Sequence, residues 1–269
     1  ACAGGSGMKY LKHLCCLALG LALSALLSST SAQAKTLQVL PPGKGEIRAL
    51  VIGIDKYQNV RPLKGAAADA RDIASALKGA GVSDLTVLVD QDASRRNVDA
   101  AMTHLLEAAA PGDLVFLSLA GHGAQATERV KGSEPDGKDE VFLLAGFSPS
   151  GRGNTERVID DEFNGWLSQL NKKGVDVLFV ADTCHGGGLT RRPEFGAEEQ
   201  SYRFAGTVQL DQDENTPIAD IADAKVKVGE LPHVTFVAAA DKYNLVPEVR
   251  IPGVATVRGA LSYAIARAI

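Results

Sequence analysis

Apolar residues arrive along this chain in short continuous runs, and between those runs they recur at every third or fourth position. Ile47–Ile54 is nearly all apolar and predicts a strand. Leu85–Val89, Leu114–Leu119, Val175–Val180 and Val234–Ala239 repeat that pattern, and Val141–Ala145 predicts a shorter strand. The intervening segments have helical spacing. Ala66–Leu77 puts Ala70, Ile73, Ala74 and Leu77 on one face and closes at Gly79 and Gly81. Ser94 can cap a second helix running to about Ala109, with Val98, Met102, Leu105, Leu106 and Ala109 facing inward. Asp160 can cap a third containing Phe163, Trp166, Leu167 and Leu170, and Gly259–Ile269 begins a fourth with Leu261, Ile265 and Ile269 on one side. Pro111-Gly112-Asp113 predicts a turn and Ala124–Lys138 a polar loop. Apolar strands alternating with amphipathic helices predict an α/β fold with a parallel sheet covered on both faces.

Sheets of this kind place their sites at the carboxyl ends of strands. Asp55 ends the first predicted strand and Asp90 the second. His122 lies just past the third, in Ala120-Gly121-His122-Gly123, and Cys184 just past the fourth, in Ala181-Asp182-Thr183-Cys184-His185-Gly186-Gly187-Gly188. A thiol and an imidazole therefore project from one sheet edge, on neighbouring strands if the order is sequential. A cysteine attacks an acyl carbon as thiolate, so it needs a base, and His supplies one that later protonates the leaving amine. Glycines beside both residues allow backbone N–H groups to approach a developing oxyanion. Other chemistries compete. Cys184, His185 and His122 are three zinc-ligand types, but adjacent Cys and His lack the usual ligand spacing. His185-Gly186-Gly187-Gly188 is similar to an esterase oxyanion segment, but the chain has no GxSxG elbow. The bland alternative is a buried inert Cys and a core His.

Composition narrows the field. With 269 residues, 45% of them hydrophobic, the chain can bury a sizeable core. A formal net charge of -4 argues against a general nucleic-acid binder. Residues 1–7 precede a natural start at Met8. Residues 8–34 read as a signal peptide: Lys9 and Lys12 form a positive n-region, Leu14–Leu27 is apolar, and Ala32-Gln33-Ala34 suits signal peptidase. The expectation is cleavage after Ala34, export to the periplasm or beyond the cell, and no membrane span in the mature chain; the competing reading, a transmembrane anchor, needs an apolar run of roughly 18 to 20 residues, longer than this one. Residues 35–46 read as a linker and 47–269 as one domain. Cys2, Cys15 and Cys16 leave with the leader, so Cys184 is the one mature thiol and no internal disulfide forms.

Two motifs carry a family resemblance. Ser118-Leu119-Ala120-Gly121-His122-Gly123 and Asp182-Thr183-Cys184-His185-Gly186-Gly187 resemble the catalytic motifs of metacaspases and their bacterial relatives among the caspase-like cysteine peptidases. Arg48–Tyr57 resembles that family's first strand and Leu63–Ala70 its next motif, so the likeness runs from about Ile47 to Ile269. The resemblance implies a caspase-like three-layer sandwich with a mostly parallel six-stranded sheet. It implies His122 as general base, Cys184 as nucleophile, and the backbone N–H groups of Gly123 and Cys184 as the oxyanion hole. Asp69 and Asp182 match acidic residues of the pocket for the side chain before the cut bond, and two desolvated carboxylates select Arg or Lys, Arg having the better fork geometry. Protein or peptide substrates with basic residues follow.

This chain departs from the family at three places. Ala120 stands where metacaspases commonly carry Ser, Ala66 where they often carry Cys, and Arg191 where a calcium-binding acidic residue is usual. Asp136, Asp139, Asp160 and Asp161 could still supply carboxylates of the calcium site that the resemblance implies, but a cation at position 191 opposes a metal. The expectation is no required cofactor and weak calcium dependence or none. Residues 191–232 read as an irregular segment and sit where the family is often processed, with Arg191, Arg192 and Arg203 as candidate self-cleavage points. The helical pattern is still running at Ile269, which suggests a longer parent protein. Beside the peptidase stands a second reading, a catalytically weak caspase-like module with a binding or regulatory role.

Overall fold

The computed structural model describes residues 45–129, 132, 134, 136–149, 154–184, 201–208, 228–240 and 244–269. In chain order the elements are β1 (Ile47–Gly53), α1 (Ala66–Gly79), β2 (Asp84–Val89), α2 (Arg95–Ala108), β3 (Leu114–Ala120), β4 (Gly123–Thr127), β5 (Lys138–Leu143), β6 (Arg157–Ile159), α3 (Asp160–Lys172), β7 (Asp176–Asp182), β8 (Phe204–Thr207), β9 (Val234–Ala238), β10 (Glu248–Val249), β11 (Arg258–Gly259) and α4 (Ala260–Ala268). The expected leader and linker up to residue 44, together with Arg191 and Arg192, lie outside the described residues. No helix among the described residues is long and apolar enough to cross a membrane.

The main sheet has the order β2-β1-β3-β7-β9 and is parallel throughout. Successive side chains on a strand face opposite ways, so an all-apolar strand feeds two cores. Ala49 and Val51 of β1 pack with Ala70, Ile73 and Leu77 of α1, and with Leu261 and Ile265 of α4. Leu50 and Ile52 pack on the other face with Met102 and Leu105 of α2 and Phe163 and Leu167 of α3. Burying each of the Val, Leu, Ile, Met and Phe side chains among them contributes about 1.5–3 kcal/mol. The result is the expected helix–sheet–helix sandwich. Gly53 sets the spacing on the α1 side: a Cβ there would lie 2.3 Å from the Ala66 carbonyl oxygen and 2.5 Å from the Ala70 Cβ.

Some expectations need correction. The described residues give the main sheet five strands rather than six. Beyond β9 the described residues form the antiparallel β10–β11 ribbon and α4. The segment expected as a polar loop opens with β4, whose Ala124, Gln125 and Ala126 are all buried; small and polar residues of low strand propensity hid it. Asp160 is the first residue of α3 and not its cap. The residue at the cap is Ile159, whose N–H donates to the Glu162 carboxylate at 3.0 Å. Within the segment read as irregular, β8 pairs in parallel with β4, in a second sheet of order β6-β5-β4-β8.

Candidate active site

The register of the main sheet brings the two expected reactive residues together. β3 and β7 are neighbours, and Ala120 is paired with Asp182. His122 and Cys184 each follow that pair by two residues, so both emerge from the same point on the carboxyl edge. Ala120, expected near the pocket, is buried on the strand beside Asp182.

His122 is 2% exposed and held on three sides. Its backbone N–H donates to the Tyr57 hydroxyl at 2.8 Å, and the two rings stack at a tilt with centroids 4.9 Å apart. Its Nε2 lies 2.8 Å from the Arg61 carbonyl oxygen. A carbonyl can only accept, so Nε2 carries the proton and Nδ1 keeps its lone pair. Nδ1 is buried and has no hydrogen-bond partner. Burial pushes the imidazole down to about 4.

Cys184 is 1% exposed and free. Its Sγ accepts the Val246 N–H at 2.9 Å, while burial pushes the thiol up to about 11. No hydrogen bond joins Sγ to the imidazole. Gly123 lies against the same residue, since a Cβ on it would sit 1.8 Å from the Cys184 carbonyl oxygen. This close approach aims two N–H groups at one atom. The N–H of Gly123, at 3.0 Å, and that of Cys184, at 3.3 Å, both donate to the carbonyl oxygen of Arg203.

The side chain of Arg203 runs from that carbonyl into a closed acidic slot and is fully buried. Nη1 lies 3.0 Å from Asp182 Oδ1 and donates to the Asp182 carbonyl at 2.9 Å. Nη2 donates to Asp69 Oδ2 and lies 3.9 Å from Glu248 Oε1. Burial opposes a charged guanidinium, but Asp182 and Asp69 outweigh it and raise its pKa. Backbone N–H groups hold the carboxylates in turn. Gly259 donates to Asp69 at 2.9 Å, Ser262 in the first turn of α4 to Asp182 at 2.8 Å, and Gly65 to Glu248 at 2.7 Å. The otherwise unsatisfied N–H groups of a helix start thus fix a pocket carboxylate.

A second acidic group lies between β5 and the start of α3. Asp139 accepts the Arg129 N–H at 2.8 Å through one oxygen. Its other oxygen, and both of Asp161, are buried without a hydrogen-bond partner. Burial, with the Asp139 carboxylate adding to it, raises Asp161 to about 7, and burial raises Asp139 to about 6. Asp160 is raised by burial and by its hydrogen bond to Glu140. Asp136 is exposed and accepts the Lys138 N–H. Among the described residues no three acidic, His or Cys side chains stand close enough to hold a metal as they are. His185 of the zinc alternative lies outside those residues.

Sequence reasoning missed Tyr57, the Arg61 carbonyl, Glu248 and Gly259. Tyr57 and Glu248 are ordinary residue types with distant partners, and a carbonyl has no sequence signal. Gly259 had a readable type but no readable neighbour. A Cβ on it would sit 2.1 Å from Asp182 Oδ2 and 2.5 Å from Arg203 Nη1. Gly259→Ala is therefore expected to unseat the guanidinium and lower the thermal midpoint of the intact chain, read by calorimetry. An unchanged midpoint would mean that the slot has room to spare.

Comparison with known proteins places this geometry. Residues 47–193 match the family model "Metacaspase, peptidase C14 domain". The chain is 34% identical over 186 residues to Metacaspase-1 of Pyricularia oryzae, covering 61% of this chain and 45% of that protein. It is 34% identical over 158 residues to Metacaspase-1 of Saccharomyces cerevisiae, covering 55% and 35%. Metacaspase-7 of Arabidopsis thaliana is 29% identical over 150 residues, covering 53% and 35%. The chain thus spans less than half the length of these curated relatives. Its fold matches the crystal structure of protein GSU0716 from Geobacter sulfurreducens, with a TM-score of 0.57, 23% identity and coverage of 81% of this chain and 79% of that one. A family match over more than half its length, on a sheet of the expected class, means that this chain belongs to the metacaspase family of caspase-like cysteine peptidases.

Proposed function

We propose that the chain is a cysteine endopeptidase that hydrolyses the bond after Arg, or after Lys less readily, through Cys184 and His122. One observation carries this reading. The residue whose carbonyl oxygen receives both glycine-side and cysteine N–H groups is an arginine, and its guanidinium fills the Asp69–Asp182 slot. In the reaction, Nδ1 of His122 takes the Cys184 proton and Sγ bonds to the carbonyl carbon before the cut. The carbonyl electron pair moves onto oxygen, held by the N–H groups of Gly123 and Cys184. As the pair returns, the C–N bond breaks and His122 passes its proton to the departing amine. Water, activated by the same imidazole, then releases the acid from sulfur.

The same observation favours Arg203–Phe204 as the chain's own cut bond among the three arginines expected. The competing reading, a weak module, draws on the burial of thiol and imidazole. The deciding assay uses the intact chain with peptides ending in Arg, Lys or Asp before the cut, beside Cys184→Ala. Turnover is expected in the order Arg, Lys, then none for Asp, and only with Cys184 present. Absence of Cys184-dependent turnover of every peptide, by a folded chain, would sink the enzyme reading, whereas preference for Asp would sink the pocket alone.

The acidic group of Asp139, Asp160 and Asp161 offers hard oxygen ligands, several without a partner, and its chemistry fits calcium. When bound, calcium would supply positive charge that offsets their mutual repulsion. We propose weak uptake and no requirement in the chemistry. The pH dependence has a definite sign. Folded carboxyls near 6 and 7, against an ordinary 3.8, bind protons that the unfolded chain has released. Their contribution to stability is therefore full below about 4 and is lost as pH rises to about 7. His122 works the other way, so the informative quantity is the difference between wild type and Asp161→Asn. In calorimetry that difference should favour Asp161→Asn at pH 8 and vanish near pH 4, and millimolar calcium should raise the wild-type midpoint at pH 8 alone. An equal difference at both pH values would overturn this account.

A further inference from the structure

The segment Ser201–Val208 crosses the site as one extended strand, and different partners hold its two halves. Upstream of the Arg203 carbonyl it runs antiparallel to the chain at Val246–Glu248. The Arg203 N–H donates to the Val246 carbonyl at 3.0 Å, the Glu248 N–H to the Ser201 carbonyl at 2.8 Å, and Tyr202 bridges Pro247. Downstream it becomes β8 and runs parallel to β4. Phe204 pairs with Gly123 and Thr207 with Gln125, and the Val208 N–H donates to the Gln125 carbonyl at 2.8 Å. Three residues of β8 span the length of two in β4, so the added strand carries a bulge. Gly206 lies in that bulge with φ of +100°, a conformation glycine adopts without strain. Ala205 and Val208 pack against the main core. Without β8, β4 would present an unpaired edge, the usual template for adding a peptide strand.

We propose that β4 is a substrate-binding strand, which recognises the five residues after the cut bond by parallel strand addition and favours glycine at the third of them and apolar side chains at the second and fifth. This rests on the peptidase reading, with Ser201–Val208 occupying the groove as a substrate would. Recognition before the cut is dominated by one buried side chain. Recognition after it is carried by backbone hydrogen bonds, whose number grows with substrate length. Substrates are then extended or locally unfolded segments with room for a strand on both sides of the arginine, and short peptides ending at the leaving group are poor ones.

The test uses the full chain carrying Arg203→Gln, which empties the slot of its own guanidinium, with Arg203→Ala as a second variant should the first fail to fold. The probes are the peptide Ser-Tyr-Arg-Phe-Ala-Gly-Thr-Val and three relatives: Ser-Tyr-Arg-Phe amide, a form N-methylated at the final Val, and one with Val in place of Gly. Cleavage after Arg is followed by mass spectrometry. Binding of labelled versions is followed by anisotropy on the same chain with Cys184→Ala. We expect the octapeptide to exceed the tetrapeptide by about 30-fold in kcat/KM and in affinity, with the N-methylated form losing about fivefold, the worth of one backbone hydrogen bond, and the Val form losing a similar factor through strain at the positive φ that Gly206 adopts. Equal cleavage of all four peptides would overturn the strand-addition proposal and leave the peptidase reading intact. Length-dependent binding without any cleavage would do the reverse. Length-independent binding overturns the proposal whatever the turnover.

Discussion

His122→Ala is expected to lower turnover of an Arg peptide by about 100- to 10,000-fold, the range supplied by a positioned acid–base group. The hydrogen bond from Nε2 to Arg61 matters here, because it commits the ring to the tautomer whose Nδ1 can accept the thiol proton. The wild-type rate should fall at acid pH as the imidazole is protonated. That limb should lie between about 4, where burial holds the ring when Arg203 is seated, and its ordinary 6.5, which an open, wetter site approaches. His122→Ala should lose the limb as well as the rate, and a mere structural defect would lower activity without removing it. Full Cys184-dependent activity in His122→Ala, with its acid limb retained, would rule out the imidazole as the base.

The comparison of sequence with structure turns on range. β1, β3 and β7 were legible because short, nearly continuous apolar runs between turns and amphipathic helices fit strands buried on both faces, and the rule for parallel sheets then put His122 and Cys184 on one edge. Asp69 and Asp182 were legible only through the family resemblance, since an acid on a helix face or at a strand end has no pattern of its own that marks a pocket. β4 was not, because Gly-Ala-Gln-Ala lacks the alternation that marks a strand; its burial comes from neighbours far along the chain. Glu248 reads as a surface acid in an unremarkable stretch, and only the folding of β10 against residues 64–65 turns it into the third carboxylate of the slot. Arg203 was legible as a basic residue in a segment of irregular appearance. Its place in the site depends on pairings with Val246 and Gly123 that local pattern does not encode. The pocket is likewise assembled from α1, β7, the residue before β8, β10, β11 and the start of α4, so the resemblance marked two of its acids and local pattern marked nothing of its closure.

Arg203→Gln is expected to move reactivity and stability in opposite directions. The tethered strand competes with added substrate at an effective concentration in the millimolar range. Against substrates binding at about 10–100 μM, removing its anchoring side chain should raise the initial rate on an Arg peptide by about 10- to 100-fold over freshly purified, uncut chain. Alkylation of Cys184 by iodoacetamide should accelerate as well, because the thiol now held near 11 regains water and a neighbouring imidazole. Meanwhile the thermal midpoint should fall, since Asp69 and Asp182 lose the cation that offsets their burial, a loss of about 3–5 kcal/mol for a broken buried pair. A purely structural arginine would give the lower midpoint alone, with the thiol no more reactive than before. A strand that shields a working site gives both, and peptide bearing Arg should then restore part of the lost midpoint by filling the slot from outside.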